Sequence, residues 1–177
     1  QGEGGVNVPG PGYLKAVREI CDRHGLLLIL DEVQTGLGRT GKLFAHEHFG
    51  IEPDIMTLAK ALAGGAPIGT MLAREKYAEA FSPGTHGSTF GGNPLMTTAA
   101  LAAVRALLEE GLLEQAQRMG AHLVNRLEEL RAKHAIVQEV RGIGPALLRG
   151  ILGAIAYGNT EPNQIAQRVG RPVTALS

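Results

Sequence analysis

A single cysteine, Cys21, stands among 177 residues. No intramolecular disulfide can therefore form, and a secreted disulfide scaffold or a zinc cluster built on cysteines is excluded. A reducing cytoplasm is the expected compartment. Net charge is lacking too: seventeen basic and seventeen acidic side chains cancel to +0, with pI ≈ 7.2. That balance excludes a general electrostatic affinity for nucleic acid or anionic membrane. No apolar run approaches the roughly 18 residues of a membrane span, because 26–30 is five residues long and Arg149 interrupts 143–157. The chain opens at Gln1 with neither methionine nor a charged-then-apolar leader, so it reads as a segment of something longer.

What is present is core-forming residues and glycine. Hydrophobic residues make up 44% against 19% charged, enough for a buried core and against long-range disorder. The 25 glycines, about 14% against a usual ~7%, cluster at 2–12, 36–41, 64–69 and 84–92. Such clusters between apolar runs suggest loops shaped around a ligand. Leu14, Val17 and Cys21 recur at helical spacing over 12–24, with Gly25 as a stop. The run 26–30 follows as a strand expected to be buried on both faces, as in parallel sheets covered by helices. A short helix over 42–49 and strands over 54–59 and 68–73 come next. Pro94 opens a long helix that runs to Gly111, and another spans about 112–134. The alternating run 136–140 reads as a further strand. This order, with only 4% aromatics, predicts an α/β layer architecture.

Asp31 and Lys60 each follow an apolar strand. In open α/β sheets ligands bind outside the carboxyl ends of strands, so an acid and an amine at two such ends would face one crevice. Taken singly, each is ordinarily a cap or a solvated charge. Their context is larger: Gln1-Gly2-Glu3-Gly4-Gly5, then Asp31-Glu32-Val33-Gln34-Thr35-Gly36 with Gly38-Arg39-Thr40-Gly41, then Pro53-Asp54-Ile55 through Ala59-Lys60-Ala61-Leu62, then Gly87-Ser88-Thr89-Phe90-Gly91-Gly92-Asn93-Pro94. In that order these motifs resemble the class III, pyridoxal-phosphate-dependent aminotransferases, and within them the acetylornithine and ornithine enzymes. The resemblance covers residues 1–144.

The resemblance implies a partial large domain of the fold-type I architecture, a mixed, mostly parallel sheet with flanking helices. It implies pyridoxal 5'-phosphate as cofactor, a homodimer, and transfer of an amino group from N-acetylornithine or a related ω-amino acid to 2-oxoglutarate. Asp31 would keep the pyridine nitrogen protonated so that the ring accepts electrons. Lys60, desolvated in the crevice, would hold the aldehyde as a Schiff base and shuttle the proton. Val33 would pack on the ring face, Gln34 contact its phenolic oxygen, and Ser88 and Thr89 reach the phosphate of the neighbouring subunit's cofactor. Glu3 would pair with a substrate-binding arginine; its alternative is a solvated loop acid. Arg39 is read as forming a loop-stabilising salt bridge. His46, His48 and His86 show no metal-ligand pattern and are read as surface or loop histidines; no metal is expected.

The family's ring-stacking residue, phosphate turn and carboxylate-gripping arginine have no counterpart in the sequence. At Pro145 the text departs from the pattern. Residues 1–140 carry 13 basic and 16 acidic groups, or −3, whereas 141–177 carry 4 and 1, or +3. The tail over 145–177 looks like the first helices of a winged helix-turn-helix, a short helical tail to the partial domain. A catalytically inert fragment, or a fusion with a DNA-binding tail, is the alternative function; nucleic-acid binding is not the favoured one.

Overall fold

The computed structural model describes residues 7–140. Of these, Pro9–Glu114 form one compact unit, and residues 7–8 and 115–140 belong to another. The expected boundary at 144 and the tail 145–177 lie outside the described residues.

Helix α1 (Tyr13–His24) starts after Gly12 and stops at Gly25, both in the left-handed conformation. The predicted stripe is the buried one: Leu14, Val17 and Cys21 pack with Leu28, Leu30, Phe49 and Ile51. Strands β1 (Ile29–Asp31), β2 (Ile55–Leu58) and β3 (Thr70–Ala73) form a sheet in that order. β1 and β2 are parallel, with Asp31 opposite Thr57, and β3 is antiparallel to β2. The mixed sheet with flanking helices is therefore as expected, in partial form.

The expectation that 26–30 is buried on both faces does not hold. Alternation and register put Leu28, Leu30, Met56 and Leu58 on one face, and Ile29, Asp31, Ile55 and Thr57 on the other. Both core clusters draw on the first face; Ile29 on the second is 57% exposed. Regular pairing begins only at Ile29, leaving Leu26 and Leu27 exposed.

Three 3-10 helices fill the connections: Ala45–Phe49, Lys60–Ala63 and Glu75–Ala80. The first is the inner part of the helix expected over 42–49. Helix α2 (Pro94–Glu109) is capped by Asn93, whose Oδ1 accepts from the Met96 N–H at 3.0 Å, with proline at the first turn. Its Ala100, Val104 and Leu107 pack against Leu37, Met56, Leu58 and Leu62. Helix α3 (Leu112–Lys133) carries the surface pairs Arg126–Glu129 and Arg131–Glu128 along its own length. Residues 137–140 have no regular structure, so the strand expected over 136–140 does not form. A strand needs a partner backbone, and among the described residues none pairs with this run.

Candidate active site

The parallel pairing of β1 and β2 decides the geometry of the edge. Because Asp31 lies opposite Thr57, both strands run out at the same end of the sheet, and Lys60 follows two residues after β2 ends. The structure thus brings Asp31 and Lys60 to one carboxyl edge, one inter-strand spacing (about 4.8 Å) and a few residues apart. Asp31 is exposed on the uncovered face, and its Oδ1 accepts from the Val33 N–H at 2.9 Å. That bond turns the chain immediately after the strand. Val33 is half-buried and Gln34 exposed beside it.

Lys60 opens the 3-10 helix with φ at +45°, a left-handed conformation unusual for a side-chain-bearing residue. Its side chain is exposed. The expected desolvation of this lysine is not found, because the described residues do not build a wall over that face of the edge. The loop 82–93 is exposed throughout except at Asn93. Ser88 Oγ accepts from the Gly91 N–H at 2.9 Å, and a Cβ at Gly91 would lie 2.8 Å from that of Ser88. The Ser88 proton is not used in this bond. Thr89 is exposed next to it. The candidate Glu3 lies outside the described residues.

Two corrections concern side chains read as peripheral. His46 is not a surface histidine: Nδ1 stands 3.1 Å from Glu32 Oε1, and its ring stacks on Phe44. His48 is exposed, in keeping with the surface reading, and its Nε2 stands 3.0 Å from both the carbonyl and the hydroxyl of the fully buried Thr40. Arg39 has no acidic partner among the described residues. Within the same loop, a Cβ at Gly36 would meet the Glu32 carbonyl at 2.9 Å and Leu58 at 3.0 Å, so glycine there is a packing requirement. Among the described residues no group of three or more His, Cys, Asp or Glu is placed to hold a metal, and no helix is long and apolar enough to cross a membrane.

Two buried acids went unassigned in the sequence. Glu32 is 3% exposed and bound by the loop it precedes. Asp54, also 3% exposed, sits at the other end of β2 from Lys60. It accepts from the Leu28 N–H at 2.9 Å, Arg18 Nη1 at 2.7 Å and the Tyr77 hydroxyl at 3.3 Å. Burial pushes its carboxyl up, but the Leu28 amide and the Arg18 guanidinium outweigh that and hold it down at about 2. Alternation was the available signal for Glu32: of two adjacent acids at a strand end, one must face inward.

A carboxylate and an amine thus lie at the carboxyl ends of two parallel strands, with glycine-shaped loops beside them, the edge at which open α/β sheets generally bind ligands. The family of class-III aminotransferases matches residues 1–165, and the chain belongs to that family. The chain is 55% identical over 144 residues to an acetylornithine aminotransferase of Caldanaerobacter subterraneus, covering 81% of this chain and 36% of that one. With the acetylornithine aminotransferase of Methanosarcina mazei the identity is 58%, covering 81% and 35%. The crystal structure of ornithine aminotransferase from Toxoplasma gondii ME49 superposes with a TM-score of 0.77 at 49% identity, covering 81% of this chain and 35% of that one. The chain thus spans about a third of the length of these relatives. Class-III aminotransferases depend on pyridoxal phosphate, and another Toxoplasma gondii ornithine aminotransferase structure is described with PLP at its active site.

Proposed function

We propose that this chain carries the cofactor-attachment edge of an aminotransferase that moves an amino group from N-acetylornithine, or a related ω-amino acid, to 2-oxoglutarate. The observation that carries the reading is the parallel register that takes Asp31 and Lys60 to one sheet edge. Both groups are exposed there, so an acid and an amine are open to a ligand that needs both. Bound pyridoxal phosphate supplies an electron sink for the carbon that loses its proton.

The chain's own residues do the rest. Lys60 Nζ would hold the cofactor and, once the substrate amine has displaced it, would carry the proton of the amine-bearing carbon as a free amine. The Asp31 carboxylate, its Oδ1 oriented by the Val33 amide, would face the ring nitrogen and keep a proton there. Val33 would pack on the ring and Gln34 would hydrogen-bond its ring oxygen. Ser88 and Thr89 offer hydroxyl donors to a phosphate, that of the neighbouring subunit in a homodimer. Glu3 takes the substrate side. The acetylornithine enzymes among the relatives support N-acetylornithine as donor, which would put the reaction in arginine biosynthesis in the cytoplasm.

The test is glutamate formation from 2-oxoglutarate with N-acetylornithine or ornithine, measured on the full-length protein that contains this segment. The account expects turnover with N-acetylornithine and a loss of at least ~10²-fold in Lys60→Ala, the scale of a removed acid–base group. Undiminished turnover in Lys60→Ala would overturn it, and turnover with ornithine alone would overturn the donor assignment.

A further inference from the structure

We infer that Glu32 is a positioning residue for the cofactor edge, fixing the turn that aims Asp31 and Gln34. The inference rests on the reading of Asp31 given above.

Four hydrogen bonds converge on this one buried carboxylate. Oε2 accepts from the Ala45 N–H at 2.9 Å and from the Thr35 hydroxyl at 2.8 Å. Oε1 accepts from the His46 N–H at 2.9 Å, and His46 Nδ1 stands 3.1 Å away. The two backbone donors are obligate, and they fall on different oxygens. Both oxygens must therefore accept, a condition that a carboxyl group meets and an amide, whose nitrogen only donates, does not. Burying so polar a group without partners would be costly; with four it becomes a fixed strut between the turn 32–36 and the start of the 3-10 helix at Ala45.

The strut acts directly on the edge. The Glu32 backbone extends the β1–β2 ladder by donating to the Thr57 carbonyl at 3.0 Å, and its own carbonyl accepts from Gly36 at 2.9 Å. Asp31 on one side and Val33-Gln34 on the other are thus bracketed by a residue held at backbone and side chain. Because successive strand residues face opposite ways, Glu32 anchors beneath the sheet while Asp31 stands exposed above it. Misaiming a group by about 1 Å can cost on the order of 10²-fold in a catalytic site.

The experiment compares Glu32→Ala, Asp31→Asn and Asp54→Asn in the full-length protein. Asp54 is a destabilising control at the far end of β2. The readouts are the dissociation constant for pyridoxal phosphate, the midpoint of the absorbance–pH titration of the bound cofactor, and amide hydrogen exchange over 33–36 in the cofactor-free protein. Glu32→Ala should weaken cofactor binding about 10-fold, the scale of lost outer support for a liganding group. It should move the titration midpoint in the same direction as Asp31→Asn and speed exchange at 33–36. Asp54→Asn should do none of these at equal loss of thermal stability. Should Glu32→Ala fail to fold, Thr35→Val and His46→Phe each delete one side-chain contact while keeping the backbone donors, and each should shift the midpoint by a smaller amount. A changed spectrum in Asp31→Asn with no change in the Glu32, Thr35 or His46 variants would overturn the strut while leaving the Asp31 reading intact. An unchanged spectrum in Asp31→Asn would overturn both.

Discussion

Lys60 sits at φ +45°, where a β-carbon crowds the backbone, and its neighbours hold it there. Replacing it with glycine removes that strain, whereas alanine keeps it. Lys60→Gly should therefore be more stable than Lys60→Ala by about 1 kcal/mol, against the usual ranking of the two residues. Thermal or urea unfolding of the two variants checks this; alanine proving the more stable would show that the backbone at 60 is unstrained. Gly36 has the opposite problem, space rather than angle. Gly36→Ala should cost about 1–3 kcal/mol by pressing a methyl onto the Glu32 carbonyl and Leu58, again read from unfolding. At this scale the placement of Asp31 and Lys60 was legible, because each follows an apolar run and the structure ends β1 at Asp31 and opens the 3-10 helix after β2 at Lys60. It was not legible for Glu32 and His46, whose roles depend on a contact fourteen residues apart that no local spacing encodes.

The start of β2 is an electrostatic joint between elements. Asp54 ties it to Leu28 just before β1, to Arg18 in α1, and to Tyr77 in the 3-10 helix after β3. Its carboxyl is held at about 2 in the fold against 3.8 for the free group. The unfolded state therefore binds the proton more readily, and the stabilisation is fully present above about pH 4 and fades as pH falls through about 2. Asp54→Asn should lower stability by roughly 2 kcal/mol at neutral pH, the scale of hydrogen bonds to a charged group. The gap between the two proteins should close between pH 4 and 2; a gap independent of pH would contradict the account. Elements with a strong period were legible, α1 by its stripe at 14, 17 and 21, and α2 by Pro94 at its start, whereas the Asn93 cap was not read. The run 136–140 was misread because alternation marks a strand only when a partner edge exists.

On the scale of the whole molecule, one sheet face is packed and the other shows Ile29 and Met71 to solvent. Helix α2 is apolar on its outer side as well, with Leu95, Leu101 and Leu108 each more than half exposed. A helix apolar all round is normally covered, and this chain spans about a third of its relatives' length. The 177-residue chain alone should aggregate beyond a dimer and bind a hydrophobic dye, whereas a chain of the relatives' length should stop at the dimer and leave the dye unbound; light scattering and dye fluorescence measure the difference. The central claim, that the ends of β1 and β2 make one cofactor edge with Lys60 as its reactive amine, is tested most directly by trapping. The full-length protein is loaded with pyridoxal phosphate, reduced with borohydride, digested and mapped by mass spectrometry. Label should fall on Lys60 ahead of Lys15, Lys42, Lys76 and Lys133, and Asp31→Asn should reduce the amount trapped at subsaturating cofactor. Label spread evenly over these lysines, or concentrated on any other, would contradict the account.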